Sequence, residues 1–271
     1  MGYLTKWLTS EGTRWALDGR LLPDDFTLRR LLEQPANEME RVLRPLGLDA
    51  APAGVPLAPV DDDTEVWAAG VTYRRSREAR EAESTVKDVY SRVYEAARPE
   101  LFFKATGWRV AGHGMPIRVR RDSRWNVPEP ELTLVITARG EIAGFCAGND
   151  VSSRDIEGEN PLYLPQAKIY NGSCALGPGI SLCDAESLRQ LPIAVTVSRR
   201  GEALFAAATS TAHLNRSLHE LVEYLCRELD FPAGVLLMTG TGIVPPDEFS
   251  LQPGDAVGIQ IGSLRLDNEV A

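Results

Sequence analysis

The sequence is poor in the residues that bind soft metals or cross-link chains, with four cysteines and three histidines among 271 residues. The cysteines (Cys146, Cys174, Cys183 and Cys226) form no Cys-x-x-Cys pair, and the histidines are not spaced to complete a zinc site with them. This pattern argues against a zinc module and against a disulfide scaffold. It is typical of a protein that works in a reducing cytosol.

Long apolar runs and an excess of positive charge are also missing. No segment approaches about eighteen consecutive apolar residues, so we expect no membrane-spanning helix. The first residues, Met1 to Lys6, lack both the apolar core of a signal peptide and the Ser or Thr of a myristoylation motif. The net charge of −9, from 38 acidic and 29 basic residues, argues against a nucleic-acid partner. We therefore expect a cytoplasmic protein.

The composition is that of a globular protein with a substantial core, since 44% of the residues are hydrophobic and 25% are charged. Residues 1–60 differ from the rest, because short strand and helix patterns there lead into a Pro/Gly/Ala-rich stretch at 51–59. We expect residues 1–60 to form a small N-terminal α/β subdomain. Residues 61–271 are then the catalytic domain.

The most informative stretch is 127–136, a loop that runs into an apolar strand and carries Glu129 and Glu131. Side chains alternate along a strand, so these carboxylates point the same way and repel each other unless a cation lies between them. Asp150 ends another apolar segment. Three carboxylates that converge from two adjacent strands predict a site for Mg²⁺ or Mn²⁺. The alternative is an acid pair on a solvated strand edge and an unrelated turn aspartate.

The segment after the strand Val66–Val71 has the pattern of a helix that covers a site. The strand ends at Gly70, and a charged segment follows it. Apolar residues then recur at helical spacing, at Val86, Val89, Tyr90, Val93, Tyr94 and Ala97. A polar helix in this position predicts a lid over residues 74–98. A static surface helix is the alternative.

Three further segments contain candidates for ligand contact. The long loop 161–179 has Lys168 near its centre, where it is a natural partner for an anionic substrate beside a metal. The turn Thr239–Gly242 lets backbone amides and a threonine hydroxyl approach an anion, and it lacks the Gly-Lys-Ser/Thr of a P-loop. In the segment 100–105 the two aromatic residues face opposite ways, and we expect Lys104 to extend to solvent.

Several of these motifs, in this order, resemble those of the fumarylacetoacetate hydrolase family: Glu129-Pro130-Glu131, residues 149–155, Lys168, Leu176-Gly177-Pro178 and Thr239-Gly240-Thr241. The resemblance covers roughly residues 65–270. It implies an α+β, β-rich fold with a mixed, rolled or sandwich-like sheet, and a homodimer or higher homo-oligomer. It also implies Glu129, Glu131 and Asp150 as Mg²⁺ ligands, with Mn²⁺ as an alternative ion, and Lys168 and Thr241 as substrate contacts.

Three other segments resemble those members of the family that dehydrate 2-keto-3-deoxy sugar acids: Gly70–Tyr73, Arg98–Ala105 and Glu157–Gln166. The expected substrate contacts then also include Tyr73, Arg74, Ser76 and Phe103. The carbon–carbon hydrolases and decarboxylases of the family resemble one another in placing a histidine, with a glutamate, on the lid. Residues 70–100 contain no histidine. A water nucleophile then has no evident base, whereas the elimination of water needs no such nucleophile.

The function that follows is a magnesium-dependent hydro-lyase that acts on 2-keto-3-deoxy-D-arabinonate or a related pentonate and forms 2-oxoglutarate semialdehyde. Loss of a C3 proton gives an enolate that expels the C4 hydroxyl, with Glu100 as the candidate acid. Lys168 is either the base or a partner of the substrate carboxylate. Two alternatives stay open, hydrolysis of a carbon–carbon bond in acylpyruvates and a non-catalytic relative that binds sugar acids. The complete carboxylate set with Lys168 argues against the second.

Overall fold

The computed structural model describes residues 2–83 and 87–271. Most of the regular structure in these residues is β-sheet. The strands are β1 (Tyr3–Thr9), β2 (Gly12–Leu17), β3 (Arg20–Leu21), β4 (Val55–Leu57), β5 (Glu65–Gly70), β6 (Glu100–Thr106), β7 (Asn126–Val127), β8 (Pro130–Ile136), β9 (Ile142–Asp150), β10 (Ser152–Ser153), β11 (Cys174–Leu182), β12 (Pro192–Arg199), β13 (Glu202–Ser210), β14 (Val235–Met238), β15 (Asp255–Ile261) and β16 (Leu264–Glu269).

The helices are short and lie in the connections between strands. They are α1 (Leu28–Leu32), α2 (Met39–Leu43), α3 (Arg74–Glu83), α4 (Lys87–Glu95), α5 (Arg154–Glu159), α6 (Leu164–Lys168) and α7 (Leu218–Leu225). Single 3-10 turns occur at Ala36–Glu38, Arg44–Leu46, Gly107–Arg109, Pro161–Tyr163, Glu186–Leu188 and Thr211–His213. Among the described residues, no helix combines the length and the apolar character needed to cross a membrane.

Two large sheets organise the chain. The first is a mixed sheet in the order β3-β2-β1-β11-β9-β8-β14-β5-β6, with β4 paired to β1. Strands β14 and β5 run parallel, whereas β8 pairs antiparallel with both β9 and β14. The second sheet is antiparallel in the order β13-β12-β15-β16, and β7 pairs with β10 beside them. This is the β-rich α+β architecture that the sequence predicted.

The second sheet packs on the central strands of the first, so β8 is buried on both faces. Leu132 and Leu134 of β8 belong to one core with Val195 of β12 and Ile259 of β15. Val135, which alternation turns to the other face, belongs to a second core. A strand covered on both faces reads as a continuous apolar run, which is why 132–136 contains a single polar residue. The sandwich-like packing confirms the predicted fold class.

The N-terminal region is built into the first sheet. Strand β1 pairs with β11, with Leu4 opposite Ile180. Trp15 and Leu28 pack in the second core together with Val135, which lies far along the chain. Residues 2–60 and the remainder therefore share a sheet and a core, and the domain boundary at residue 60 stays a prediction.

One edge of the first sheet collects the ends of several strands. Strand β5 ends at Gly70 opposite Glu100, where β6 begins. Strand β8 begins at Pro130 opposite Asn149, one residue before the end of β9. Strand β14 ends beside β5 and leads into the turn at Gly240. Antiparallel and parallel pairings thus place residues from distant parts of the sequence at one edge.

Two helices connect β5 to β6 over this edge. The sequence predicted one helical stripe from residue 86 to residue 97, and the structure has α3 and α4 between 74 and 95. Val86 lies outside the described residues. Tyr90 is buried in α4, and Ser76 and Arg80 are buried in α3. The pair covers the edge where the strands end, and its mobility stays a prediction.

Candidate metal and substrate site

Glu129, Glu131 and Asp150 meet where β8 begins and β9 ends. The backbone N–H of Asp150 donates to the carbonyl of Glu129 over 3.0 Å, which fixes the two chain segments side by side. Each side chain offers an oxygen within 4.8 Å of the others. All three residues are at most 2% exposed. The fold therefore brings the three predicted ligands into one buried cluster.

Two buried lysines contact this cluster. Lys168 Nζ donates to Asp150 Oδ2 over 2.9 Å and also to a carboxylate oxygen of Glu129. Lys104 Nζ forms an ion pair with the other oxygen of Asp150. Burial lowers the pKa of Lys168, but the carboxylates of Asp150 and Glu129 outweigh burial and raise that pKa above its ordinary value. Lys168 is therefore an ammonium in this arrangement.

Glu129 is held as a carboxylate by three cations. In addition to Lys168, Arg154 Nη2 donates to its Oε1 over 2.8 Å and Arg80 Nη2 donates to the same oxygen over 3.1 Å. Burial raises the pKa of Glu129, but Lys168, Arg154 and Arg80 outweigh burial and lower that pKa below its ordinary range. A charged ligand is thus already formed at this corner of the cluster.

Glu131 has the opposite balance. Its Oε2 accepts a hydrogen bond from the backbone N–H of Gly240 over 2.7 Å. Burial, followed by the negative charges of Asp150 and Glu129, raises the pKa of Glu131 well above its ordinary value. A divalent cation among the three carboxylates would remove this repulsion, and oxygen ligands are those that Mg²⁺ and Mn²⁺ prefer. The residues present therefore fit the predicted metal.

Gly240 allows the turn after β14 to approach the cluster. Its φ is +90°, in the left-handed region that glycine adopts without strain, and a Cβ there would lie 2.0 Å from Thr72 Oγ1. That hydroxyl donates to the carbonyl of Thr239 over 2.6 Å. Thr241, the next residue, lines the cavity beside the carboxylates. The glycine-rich turn thus presents an amide and a threonine to the site.

Glu100 faces the cluster from β6. A Cβ on Gly70 would lie 2.0 Å from Glu100 Oε2, so this carboxyl group fits only because residue 70 is glycine. Burial, and then the charge of Glu157, raise the pKa of Glu100 to about 7, against the opposing effects of Arg80 and Lys168. A carboxyl group with this pKa exchanges protons near neutral pH. Glu100 therefore has the properties of a general acid.

Helices α3 and α4 cover these groups. Arg80 of α3 contacts Glu129 and also forms an ion pair with Glu157 of α5. The cavity, which Ser76 and Tyr90 also line, measures about 20 Å³. That is room for one or two water molecules. The arrangement leaves little free space beside the carboxylates.

Most of the predicted site residues lie at the cavity, and three do not line it. Glu100, Lys168, Ser76 and Thr241 line the cavity together with the three carboxylates. Tyr73 is 1% exposed but is not among the residues that line the cavity. The structure thus brings most of the predicted residues together, and their individual roles stay predictions.

Arg74 and Phe103 lie outside the cavity. The Arg74 side chain is 78% exposed and pairs with Glu78 of the same helix over 2.8 Å, on the face of α3 that is turned away from the cavity. The Phe103 ring packs edge-on against Trp67, with ring centroids 6.0 Å apart. Strand alternation turns Phe103 away from Glu100. The contacts that the structure gives these two residues are with protein groups outside the site.

Phe102 takes the place beside the site that was expected for Phe103. It lines the cavity, and Lys168 Nζ lies 5.9 Å from its ring centroid. The expectation that Lys104 extends to solvent was wrong, since Lys104 is 1% exposed and paired with Asp150. Alternation along β6 puts Glu100 and Phe102 on one face, and this signal was available in the sequence. Lys104 lies at a β-bulge, where Phe103 and Ala105 of β6 pair with the adjacent residues Trp67 and Val66 of β5.

Arg80, Arg154 and Glu157 were not among the site residues predicted from the sequence. Each is buried. Arg80 and Arg154 pair directly with Glu129, and Glu157 pairs with Arg80. Arg154 and Glu157 stand in segments that were singled out as motifs, but a motif alone does not say which side chains turn inward. Arg80 lies on a charged helix, where arginines are common, and had no local signal.

Comparison with known proteins identifies relatives over most of the chain. Residues 65–271 match the family described as fumarylacetoacetate (FAA) hydrolase C-terminal. A Haloferax volcanii protein described as probable 2-keto-3-deoxyxylonate dehydratase is 50% identical over 214 residues, which cover 78% of this chain and 73% of that protein. The Saccharolobus solfataricus 2-dehydro-3-deoxy-D-arabinonate dehydratase is 43% identical over 208 residues, which cover 75% of this chain and 70% of that protein.

A solved structure agrees over almost the whole chain. It is described as 2-keto-3-deoxy-D-arabinonate dehydratase complexed with magnesium and 2,5-dioxopentanoate. It superimposes with a TM-score of 0.84 at 34% identity and covers 99% of this chain and 98% of that one. The family that the motifs indicated is confirmed. This chain belongs to the fumarylacetoacetate hydrolase family.

Proposed function

We propose that this protein is a magnesium-dependent dehydratase, a hydro-lyase that converts 2-keto-3-deoxy-D-arabinonate or a related pentonate to 2-oxoglutarate semialdehyde. The observation that carries the proposal is the buried cluster of Glu129, Glu131 and Asp150 with Glu100 facing it in one closed cavity. The names of the two relatives support the same reaction, and so do the magnesium and 2,5-dioxopentanoate bound in the solved dehydratase structure.

Glu129, Glu131 and Asp150 would hold the metal ion. When bound, Mg²⁺ supplies a Lewis acid for the keto oxygen and the carboxylate of a 2-keto acid. The described residues around the cluster bury it, since each of the three is at most 2% exposed. Burial strengthens the electrostatic attraction between the protein and an anionic substrate.

Glu100 is the group that we assign to the departing C4 hydroxyl. The hydroxyl leaves as water only if it receives a proton, and the pKa of Glu100, raised to about 7, makes that proton available at neutral pH. The acid and the metal ligands line the same small cavity.

Lys168 stands between two of the ligands and beside the ring of Phe102. Two roles are considered for it. As an ammonium, the form that Asp150 and Glu129 favour by raising its pKa, it pairs with the substrate carboxylate. As an amine it would take the C3 proton, and this role requires a bound Mg²⁺ to lower that pKa by neutralising the two carboxylates. The two roles differ in whether C3 proton exchange survives the loss of the Lys168 amine.

The absence of histidine from residues 70–100 keeps this proposal ahead of carbon–carbon bond hydrolysis. Hydrolysis needs a base for the attacking water, and the lid residues that the structure describes place an arginine, a serine and a tyrosine against the cavity. A non-catalytic sugar-acid binder has no use for a carboxyl group whose pKa is raised to about 7.

The decisive assay compares two substrate classes with purified protein and Mg²⁺. Racemic 2-keto-3-deoxypentonate is expected to yield semialdehyde, which an added semialdehyde dehydrogenase with NAD⁺ converts with a rise in NADH. Acylpyruvates are expected to remain intact. Formation of pyruvate from an acylpyruvate, with no semialdehyde from any pentonate, would rule out the dehydratase.

Cellular location and assembly complete the proposal. Cys146, Cys174, Cys183 and Cys226 are free thiols in the structure, which agrees with a reducing cytoplasm. We expect a homodimer or a higher homo-oligomer, as the family resemblance implies. Light scattering coupled to size-exclusion chromatography measures the mass directly, and a mass of one chain would contradict this expectation.

A further inference from the structure

The cavity is also lined by the carboxyl group of Glu157 on α5, in addition to Glu100 and the three metal ligands. The residue is 5% exposed. Ser152 Oγ donates to Glu157 Oε2 over 2.7 Å, and Arg80 pairs with the same oxygen. Burial raises the pKa of Glu157, but Arg80 and Lys168 outweigh it and lower that pKa below its ordinary value. Glu157 is thus a carboxylate. Its charge helps to raise the pKa of Glu100, but neither enolate formation nor loss of the C4 hydroxyl needs a proton transfer to Glu157 itself.

A second cavity of about 40 Å³ shows which end of the site Glu157 faces. It shares Tyr90, Glu100 and Glu157 with the first cavity and is otherwise apolar, with Val93 of α4 and Leu164 of α6 in its wall. The described residues in its lining include none of the three metal ligands. The two carboxyl groups therefore stand at the boundary between the metal end and an apolar far end.

A five-carbon substrate has one orientation that serves the proposed function, on which this inference rests. Its carboxylate and keto group lie at the metal ligands, and its C4 hydroxyl lies at Glu100. C5 then extends past Glu100 toward the far cavity, where Glu157 is the second carboxyl group. The only other carboxyl group at that boundary is Glu100 itself, among the residues described.

The proposed product requires chemistry at C5. Loss of water gives 5-hydroxy-2-oxopent-3-enoate, whose C5 still bears a hydroxyl and two hydrogens. To become an aldehyde, C5 must lose one of those hydrogens to a base. Glu100 has just given its proton to the departing C4 hydroxyl, so its carboxylate lies against the expelled water at this stage.

We propose that Glu157 is the base that removes the C5 proton in the second half of the reaction. The electron pair of the C5–H bond becomes a C4–C5 double bond, and the C3–C4 double bond moves to C2–C3 with the charge on the keto oxygen. Protonation of C3 restores the keto group and leaves an enol at C4–C5. The enol takes a proton at C4 and loses its hydroxyl proton, which gives the semialdehyde. Two protons are lost and two are gained.

The contacts of Glu157 suit this role. Both Ser152 and Arg80 contact Oε2, and among the described residues these are the partners of the carboxylate, so we assign the proton to Oε1. Fixing one oxygen orients the carboxylate toward a single substrate atom. The apolar wall beyond it, formed by Val93 and Leu164, keeps solvent from competing for the intermediate.

The test is the product ratio of Glu157→Gln with Mg²⁺ and the pentonate. The conjugated alkenoate is followed by its ultraviolet absorbance and by NMR, and the semialdehyde by the coupled dehydrogenase. We expect substrate consumption to stay within about ten-fold of the wild type, whereas semialdehyde formation falls by about 100-fold or more, the usual contribution of one acid or base. Glu159→Gln is the matched control, because Glu159 lies exposed on the same helix.

Accumulation of the alkenoate in Glu157→Gln, and its absence in Glu159→Gln, supports the proposal. An unchanged product ratio overturns it, and so does a parallel loss of both steps without alkenoate, since that result describes a purely structural residue. If Glu157→Gln does not fold, Glu157→Asp applies the same criterion, because it withdraws the carboxylate by one methylene. Failure of the wild type to consume any pentonate would instead overturn the proposed function.

Discussion

Arg80 joins the lid to the metal ligands, since its Nη2 donates to Glu129 Oε1 over 3.1 Å from helix α3. The same guanidinium pairs with Glu157 of α5. The lid is therefore held by the carboxylates that it covers. An arginine can make two such contacts at once because its guanidinium is a planar fork, which a lysine is not.

Arg80→Lys is expected to loosen the lid. The single ammonium cannot reproduce both contacts, so KM should rise by about ten-fold, and protease should cut residues 74–98 faster. Substrate with Mg²⁺ should slow this cleavage in the wild type. Arg75→Gln, at an exposed position of the same helix, is the control. Equal cleavage rates with and without ligand in the wild type would mean that α3 and α4 are a static cover.

Glu131→Gln is expected to abolish activity and leave the fold intact, because the cluster loses a charge and almost no volume. Loss of outer partners of a metal already costs about 10–100-fold, so a direct ligand should cost more than about 100-fold. The apo variant should also melt at a higher temperature than the apo wild type, since burial and two like charges raise the Glu131 pKa. Calorimetry measures the loss of Mg²⁺ binding, and a thermal melt of the apo proteins measures the change in melting temperature. Full activity at saturating Mg²⁺ would contradict the three-carboxylate site.

Lys168→Met and Glu100→Gln should separate the two halves of the elimination. The probe is 2-oxopentanoate, a 2-keto acid without a C4 hydroxyl, in deuterated water with Mg²⁺. Glu100→Gln should still exchange the C3 protons but lose about 100-fold or more in water elimination from the true substrate. Lys168→Met should lose both the exchange of the C3 protons and the elimination of water. Retained exchange with a raised KM would assign Lys168 to the substrate carboxylate alone.

The activity should fall as pH rises through about 7. Burial and Glu157 raise the pKa of Glu100 to about 7, so this carboxyl group is protonated below that pH and ionised above it. An acid catalyst acts in its protonated form, and the sign of the effect is therefore a loss at high pH. The pH profile of kcat/KM in the wild type measures it. Glu100→Gln should remove this limb from the residual activity, and a limb that persists would belong to another group.

Gly70→Ala is expected to displace Glu100. A Cβ at residue 70 would lie 2.0 Å from Glu100 Oε2, closer than any real contact, so the carboxyl group must move. Elimination should fall by about 100-fold, as for loss of the acid, while Mg²⁺ binding is retained. Gly47→Ala is the control, because its φ of −64° suits alanine and its nearest neighbours lie 3.9 Å away. Wild-type activity in Gly70→Ala would show that Glu100 has room elsewhere.

The sequence contained the part of the site that strand geometry determines. Glu129 and Glu131 share a face because they lie two residues apart beside a strand, and Asp150 ends the neighbouring strand. A β-bulge in β6 interrupts this alternation at Lys104, and the ordinary preference of lysine for solvent suggested that Lys104 would be exposed. Burial of Lys104 depends on Asp150, which lies on a strand that is not adjacent to β6 in the sheet.

The parts that were missed depend on contacts between distant segments. Arg80 and Glu157 are far apart in the chain and meet only when α3 folds over the sheet edge. No periodicity encodes such a pair. The likeness to dehydratases placed substrate contacts near the start of α3, but only the helix geometry shows that Arg74 turns outward whereas Ser76 turns inward.

At one side of the first sheet β5, β9 and β14 end and β6 and β8 begin. This arrangement has a consequence for how the protein acquires its metal. The three ligands lie on the paired strands β8 and β9, but the amide of Gly240 that holds Glu131 comes 109 residues later in the chain, so the local strand pair lacks a group that fixes one ligand. Pairings between distant strands form slowly, because long loops must close first. Tight binding of Mg²⁺ should therefore appear at the last stage of refolding, and fragments that lack β14 should not show it. In this protein, tight Mg²⁺ binding would therefore indicate that folding is complete.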